Sequence, residues 1–167
     1  MKRMGALLLV LITIALAGTI LHGSGLGTHG VVGGALGAWL ARNPLEAFAV
    51  GFLSHALLDV MPHHDPVEED PLDVGFFVAF NLGALFVAHE TYRAHDDDQR
   101  ILWGAIGGML PDLEHLLFYE QCEGFELCSA KLYPTHNNRL PHHGDAPFLF
   151  GYALETAVSL LVIRIAF

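Results

Sequence analysis

The chain has 167 residues, of which 53% are hydrophobic and only 16% are charged. A typical soluble domain carries about 25% charged residues, so this composition favours a membrane protein. The formal net charge is -10, which argues against nucleic acid as a partner because there is no basic stripe to neutralise phosphates.

The predicted elements are all α-helices. In chain order they cover residues near 4–22, 25–42, 45–62, 73–94, 99–119 and 145–166. The apolar runs approach the roughly 20 residues that cross a bilayer, and no segment alternates long enough with the period of two that strands require. The sequence therefore predicts an all-α integral membrane bundle of about six helices, with residues 1–167 as a single domain.

The first apolar run, MGALLLVLITIALAGTILH, follows Lys2 and Arg3. It is either a transmembrane helix or a secretory signal sequence. We favour a retained helix, because no A-x-A cleavage site follows it. The next segment is rich in glycine and contains two overlapping G-x-x-x-G pairs, which allow helix backbones to approach closely in lipid. Those pairs are Gly30 with Gly34, and Gly33 with Gly37.

Basic residues set the predicted orientation, because cytoplasmic loops are enriched in lysine and arginine. Lys2 and Arg3 place the N-terminus in the cytoplasm. With alternating helices, Arg42, Arg93, Arg100 and Arg164 also fall inside, whereas Lys131 and Arg139 fall outside. The predicted location is the inner (cell) membrane, crossed several times.

Ionisable side chains interrupt these apolar helices, although burying them in lipid is costly unless they are paired or bound to a metal. His55 and Asp59 are four residues apart, and Asp112 and His115 are three apart, so each pair shares one helix face. The predicted topology places both pairs toward the outer membrane face. Three more histidines reach the same level: His29, His142 and His143.

This combination of imidazole and carboxylate groups predicts a divalent metal site near the outer face. Such ligands suit zinc, with iron or manganese as alternatives. Zinc with an open coordination position would activate water for hydrolysis.

Cys122 and Cys128 lie close together in YEQCEGFELCSA. Two interpretations stay open: free loop thiols, or a local disulfide, which requires an oxidising compartment. The pair falls in the loop that is predicted to lie outside the cell, which agrees with the disulfide.

Three motifs carry a resemblance to a known family: GFLSHALLDVMPHHD (51–65), GGMLPDLEHLL (107–117) and NNRLPHHGDAP (137–147). They resemble the small inner-membrane metal-dependent hydrolases of the YdjM type, which are grouped with zinc-dependent phospholipase C-like helical proteins. The resemblance covers most of the chain after the first helix, through short motifs. It implies a metal-ligand set of His29, His55, Asp59, Asp112 and His115, completed by His142 or His143.

Two positions depart from the family pattern. The family's P-D-x-D-H reads PDLEH here, so Glu114 replaces an aspartate and either orients a ligand or acts as a water-activating base. The late histidine stays open between His136, His142 and His143.

The leading hypothesis is a membrane-embedded hydrolase that cleaves a phosphoester or related bond in a lipid or lipid-linked substrate, at the extracytoplasmic side. The candidate set has six or more ligands, which is more than the four of one tetrahedral zinc, so a second ion is plausible and one or two ions are expected. Asp65 or Glu114 is the candidate general base, and Arg139 is a candidate bidentate phosphate ligand.

Other functions remain open. A lipid-amide or ester hydrolase would use one zinc. A metal or proton transporter should carry ionisable groups through the full membrane depth, whereas these crowd the outer half. A non-catalytic metal-stabilised membrane protein would fill every ligand position with protein.

Overall fold

The computed structural model describes residues 25–64, 70–118, 120–122, 128–137, 139–140 and 146–167. Its α-helices are α1 (Leu26–Leu40), α2 (Pro44–Asp59), α3 (Pro71–Ala94), α4 (Gln99–Met109), α5 (Leu113–Leu117) and α6 (Phe148–Ala166), and a 3-10 helix over Leu110–Asp112 links α4 to α5. These described ranges contain no β-strand, which confirms the all-α class. The helix predicted over residues 4–22 lies outside them.

Local side-chain chemistry sets several helix ends. Asn43 Oδ1 accepts a hydrogen bond from the Glu46 backbone N–H (3.0 Å) at the start of α2, and Asp70 accepts one from Leu72 (2.9 Å) at the start of α3. Each cap satisfies a backbone N–H that has no partner inside its helix. The helix predicted over residues 99–119 is interrupted at Pro111, which lacks an N–H and therefore cannot continue the α-helical ladder.

Helix α1 is the centre of the fold, because it contacts α2, α3, α4 and α6. Its glycines bring it close to α4. A Cβ at Gly33 would lie 2.5 Å from the carbonyl oxygen of Gly104, and a Cβ at Gly104 would lie 2.3 Å from that of Gly33. Gly51 brings α2 equally close to α4, since a Cβ there would lie 2.0 Å from the same Gly104 oxygen. The predicted G-x-x-x-G stripe thus forms a close backbone contact.

Helix α3 buries one narrow stripe and exposes the rest of its apolar surface. Its buried residues recur every fourth position: Asp73, Phe77, Asn81 and Leu85. The outward face carries large apolar side chains, among them Leu72 (85% exposed) and Phe86 (63% exposed). Two of the four buried residues, Asp73 and Asn81, are thus polar, while several large apolar side chains face outward.

Helices α3 and α6 are each long and apolar enough to cross a membrane. In their most apolar 18-residue windows, 22% and 17% of the residues are buried, which is much less than expected of a core helix in a soluble protein. The other predicted spans are shorter: α1, α2 and α4 have 15, 16 and 11 residues. A bundle of six membrane-spanning helices therefore stays a prediction.

Candidate metal centre

The fold gathers polar side chains from four separate parts of the chain. His29 comes from α1, His55 and Asp59 from α2, Asp112 and His115 from the 3-10 helix and α5, and His136 from the loop before α6. All are buried. They form three overlapping groups with ligand atoms within 4.8 Å of one another: His29–His55–Asp112, His55–Asp59–His136 and Asp112–His115–His136. Buried clusters of this composition can hold a metal ion.

The donor atoms at the middle of the cluster have the spacing of metal ligands. His55 Nε2 and His136 Nε2 lie 3.2 Å apart, and each lies 3.3 Å from Asp59 Oδ2. Asp112 Oδ1 is 3.5 Å from His55 Nε2 and 4.0 Å from His136 Nε2. Two ligands of one tetrahedral zinc, each about 2.0–2.1 Å from the ion, lie about 3.4 Å apart. This donor set therefore fits a divalent metal ion.

Asp59 offers its two carboxylate oxygens to different histidines. Oδ2 faces His55 and His136, whereas Oδ1 lies 3.4 Å from His29 Nε2. The His29 ring stacks on the His55 ring with centroids 3.9 Å apart. A carboxylate in this position is suited to lie between two cations.

Hydrogen bonds on the far side of two rings orient their Nε2 atoms toward the cluster. His55 Nδ1 donates to the Gly108 carbonyl oxygen (2.7 Å), and His136 Nδ1 donates to Glu114 Oε1 (2.7 Å). A histidine whose Nδ1–H is held in this way presents an Nε2 lone pair when neutral, which is the usual arrangement of a metal-bound histidine. The two Nε2 atoms therefore face each other, and a cation or a proton between them is needed to relieve the repulsion.

Glu114 anchors the loop that carries His136. Its carboxylate also accepts hydrogen bonds from the backbone N–H groups of Leu132 (2.9 Å) and Tyr133 (3.0 Å). Burial alone would raise the pKa of Glu114, but the hydrogen bonds from His136, Leu132 and Tyr133 outweigh it and lower that pKa. With both oxygens occupied, Glu114 is placed to orient His136, the first of the two roles expected for it.

Asp59 and Glu114 together set the charge of His136. Burial alone would lower the pKa of this imidazole, but hydrogen bonds to Asp59 and Glu114 raise it to about 9. A metal ion that binds His136 Nε2 therefore has to displace a proton.

The loop is attached to α2 by Tyr133 and Thr135. The Tyr133 hydroxyl donates to the Phe52 carbonyl (2.6 Å) and accepts from the Ala56 N–H (3.1 Å), and burial raises the pKa of Tyr133 to about 12. The Thr135 hydroxyl donates to Asp59 Oδ2. These contacts hold both the loop and the Asp59 carboxylate in place.

Lys131 is a buried cation beside the cluster. Its side chain is almost fully enclosed, and Nζ lies 2.7 Å from His115 Nδ1. Its contact with Nδ1 orients the His115 ring.

A disulfide joins Cys122 to Cys128, so the structure forms the bridge that the sequence left open. The Cys128 backbone N–H donates to the His136 carbonyl oxygen (3.1 Å). The bridge thus braces the segment from which His136 is presented.

Asp112 marks the more open side of the cluster. Its side chain is 12% exposed, against 0–2% for the side chains of His29, His55, Asp59 and His136. Its Oδ2 is buried and has no hydrogen-bond partner among the described residues. A buried carboxylate oxygen without a partner is costly, which is a second sign that a cation belongs here.

The two described histidines that follow α2 are not members of the three donor groups. His63 Nδ1 contacts the Met61 carbonyl (3.0 Å). His64 Nε2 lies 2.9 Å from Asp73 Oδ2, and its Nδ1 lies 3.2 Å from the Ala146 carbonyl oxygen, so both of its ring nitrogens have polar partners outside the cluster.

Several sequence-predicted residues are not part of the described cluster. Asp65, His142 and His143 lie outside the described residues. Arg139 is exposed, three residues after His136, and its backbone N–H donates to Asn137 Oδ1 (3.1 Å).

Of the three candidates for the late histidine, His136 lies among the donors, and His142 and His143 lie outside the described residues. The roles of Lys131, Tyr133 and Thr135 were not predicted. A Thr-His pair, which occurs both at Thr28–His29 and at Thr135–His136, was the available signal for His136.

The chain matches no family model, and comparisons with curated proteins and with solved structures also give no match.

Proposed function

We propose that this chain is a membrane-embedded, metal-dependent hydrolase that cleaves a phosphoester or related bond in a lipid-type substrate at the extracytoplasmic side. The observation that carries the proposal is the convergence of His55, His136, Asp59 and Asp112, whose donor atoms lie 3.2 to 4.0 Å apart in the measured pairs. The resemblance of the three sequence motifs to the YdjM-type hydrolases agrees with it.

The proposed cofactor is one or two divalent ions, with zinc favoured by the imidazole and carboxylate donors. His55, His136, Asp59 and Asp112 would hold one ion, and His29 with Asp59 Oδ1 or His115 beside Asp112 offers donors for a second. When bound, the metal supplies Lewis acidity toward the substrate oxygens and stabilises a departing oxyanion.

The protein's own groups have distinct proposed roles. Glu114 keeps the His136 ring in its ligating orientation, and the Gly108 carbonyl does the same for His55. Substrate approaches from the Asp112 side, where the cluster is least enclosed. Arg139, exposed on the His136 loop, remains the proposed phosphate ligand, and Asp65 remains the proposed general base.

Two observations support a membrane location. The described helices expose many large apolar side chains and bury several polar ones, and α3 and α6 are long enough to span a bilayer. The Cys122–Cys128 disulfide supports an extracytoplasmic site, because disulfides persist in oxidising compartments. The loop that it braces carries His136.

The first experiment is metal analysis of the detergent-purified chain by elemental mass spectrometry. We expect about one or two equivalents of zinc, iron or manganese in the wild type, and loss of that metal in His55→Ala/Asp112→Asn. His64→Gln is the matched control, because His64 is a neighbouring histidine whose nitrogens are both engaged elsewhere. Full occupancy in the double variant, or no metal in the wild type after reconstitution, would overturn the proposal.

One observation favours a second candidate, a non-catalytic metal site that stabilises the membrane domain. His29, His55 and Asp59 are almost completely enclosed, as in structural sites whose ligand positions are all filled by protein. Chelation separates the two functions. A hydrolase loses turnover of lipid phosphoesters or amides on chelation and regains it with added metal, whereas a structural site changes only the melting temperature.

A further inference from the structure

A second feature of the structure is an apolar groove between the two longest helices. Its volume is about 300 Å³, at the lower end of ligand pockets. Its walls come from Phe80, Gly83 and Val87 of α3, from Thr156 and Leu160 of α6, and from Val31 of α1 at its base.

The groove presents hydrocarbon almost throughout. Thr156 is one of two hydroxyl-bearing residues in its lining, and its Oγ1 donates to the Tyr152 carbonyl (2.7 Å) within α6. That hydroxyl is satisfied by its own helix, so the groove has little to offer a polar head group. From Phe80 to Val87 the groove follows seven residues, or about 10 Å of helix. Its shape and chemistry suit a slender alkyl chain.

One end of the groove reaches the level of the metal centre. Thr28 lies one turn before Val31 and directly before His29, and its hydroxyl donates to Glu155 Oε2 (2.6 Å). Glu155 directly precedes Thr156 of the groove wall. The apolar groove therefore ends beside a buried polar pair that adjoins a candidate ligand.

We propose that this groove binds one acyl chain of the lipid on which the metal centre acts, an inference that rests on the proposed function. Because the groove lies between the two helices suited to cross the bilayer, a lipid can enter it sideways from the membrane. The chain lies along α3 and α6, and its polar end is held toward Thr28 and the cluster.

Gly83 provides the test, because a Cβ at this position meets no atom within 4 Å. Gly83→Leu therefore adds a side chain to the groove lining at a position where its Cβ has open space. Gly75 is the matched control: it lies on the same helix, its added Cβ also meets nothing within 4 Å, and it is not part of the groove lining.

The experiment uses nanodiscs that contain a phosphatidylglycerol with a photoactivatable diazirine in one acyl chain. After irradiation, peptide mass spectrometry locates the adducts in wild type, Gly83→Leu and Gly75→Leu. We expect adducts concentrated on the groove walls of α3 and α6, reduced about tenfold or more in Gly83→Leu and unchanged in Gly75→Leu. Adducts spread evenly over the exposed faces of both helices, or an unchanged yield in Gly83→Leu, would overturn the proposal.

Metal content measured on the same samples separates this inference from the proposed function. Bound metal without groove-specific adducts removes the acyl-chain site and leaves the metal centre standing. Groove-specific adducts on a wild-type chain that binds no metal remove the hydrolase proposal, and with it the groove's assignment to a substrate.

Discussion

Glu114→Gln is the most informative single substitution, because it changes one oxygen to an amide group and leaves the size of the side chain unchanged. Glu114 accepts N–H groups from His136, Leu132 and Tyr133, and glutamine retains one acceptor oxygen for these three donors. The amide N–H₂ then faces at least one N–H donor. We expect His136 to lose its fixed orientation and its charge-assisted hydrogen bond.

Loss of a group that orients a metal ligand costs about 10- to 100-fold in metal affinity, which corresponds to about 1.4 to 2.7 kcal/mol. The measurement is a zinc competition titration against a chromogenic chelator in detergent. Glu46→Gln is the control, since Glu46 caps α2 by accepting the Arg42 N–H and lies outside the cluster. An affinity for Glu114→Gln within twofold of the wild type would refute the role assigned to Glu114.

The remaining predictions concern charge, covalent bracing and packing. Hydrogen bonds to Asp59 and Glu114 raise the pKa of His136 from an ordinary value of about 6.5 to about 9. The protonated ring therefore stabilises the metal-free fold, and this stabilisation is complete below pH 6.5. That stabilisation should fall by up to about 3 kcal/mol as the pH rises through 9. A melting temperature of the wild type that does not change with pH would contradict it, as would the same pH dependence in His136→Gln. In the same range, zinc affinity should rise by about tenfold per pH unit if one proton is displaced, as titrations at several pH values will show. Cys122→Ser/Cys128→Ser removes a short covalent loop that contributes about 2 kcal/mol to the free energy of unfolding. The melting temperature of this variant should match that of the reduced wild type. A melting temperature equal to that of the oxidised wild type would count against the bridge. Gly104→Leu should prevent α1 from packing on α4, since even a Cβ lies 2.3 Å from the Gly33 oxygen. Gly75→Leu, in open space, should fold normally. Equal yields of folded protein for the two variants would show the contact to be unimportant.

The sequence by itself indicated the helical class and five of the six residues of the cluster, all but His136. Apolar runs without strand periodicity gave helices, and the four- and three-residue spacings put His55 with Asp59 and Asp112 with His115 on common faces. The glycine stripe of α1 predicted a close helix contact, because only glycine permits backbones to approach so closely. Each of these signals is local, and a helix repeats it at a fixed period.

The tertiary structure alone decided which distant groups meet. His136 comes from an irregular loop 81 residues away from His55, and no periodic pattern encodes where such a loop folds back. The role of Glu114 could not be read from the sequence, because a carboxylate that orients a ligand and one that acts as a base have the same sequence signature. The contact of Lys131 with His115 also depends on how the loop folds back. The acyl-chain groove also arises only when α1, α3 and α6 pack together. Spacing along the chain fixes which residues share a helix face, whereas only packing fixes which face meets which.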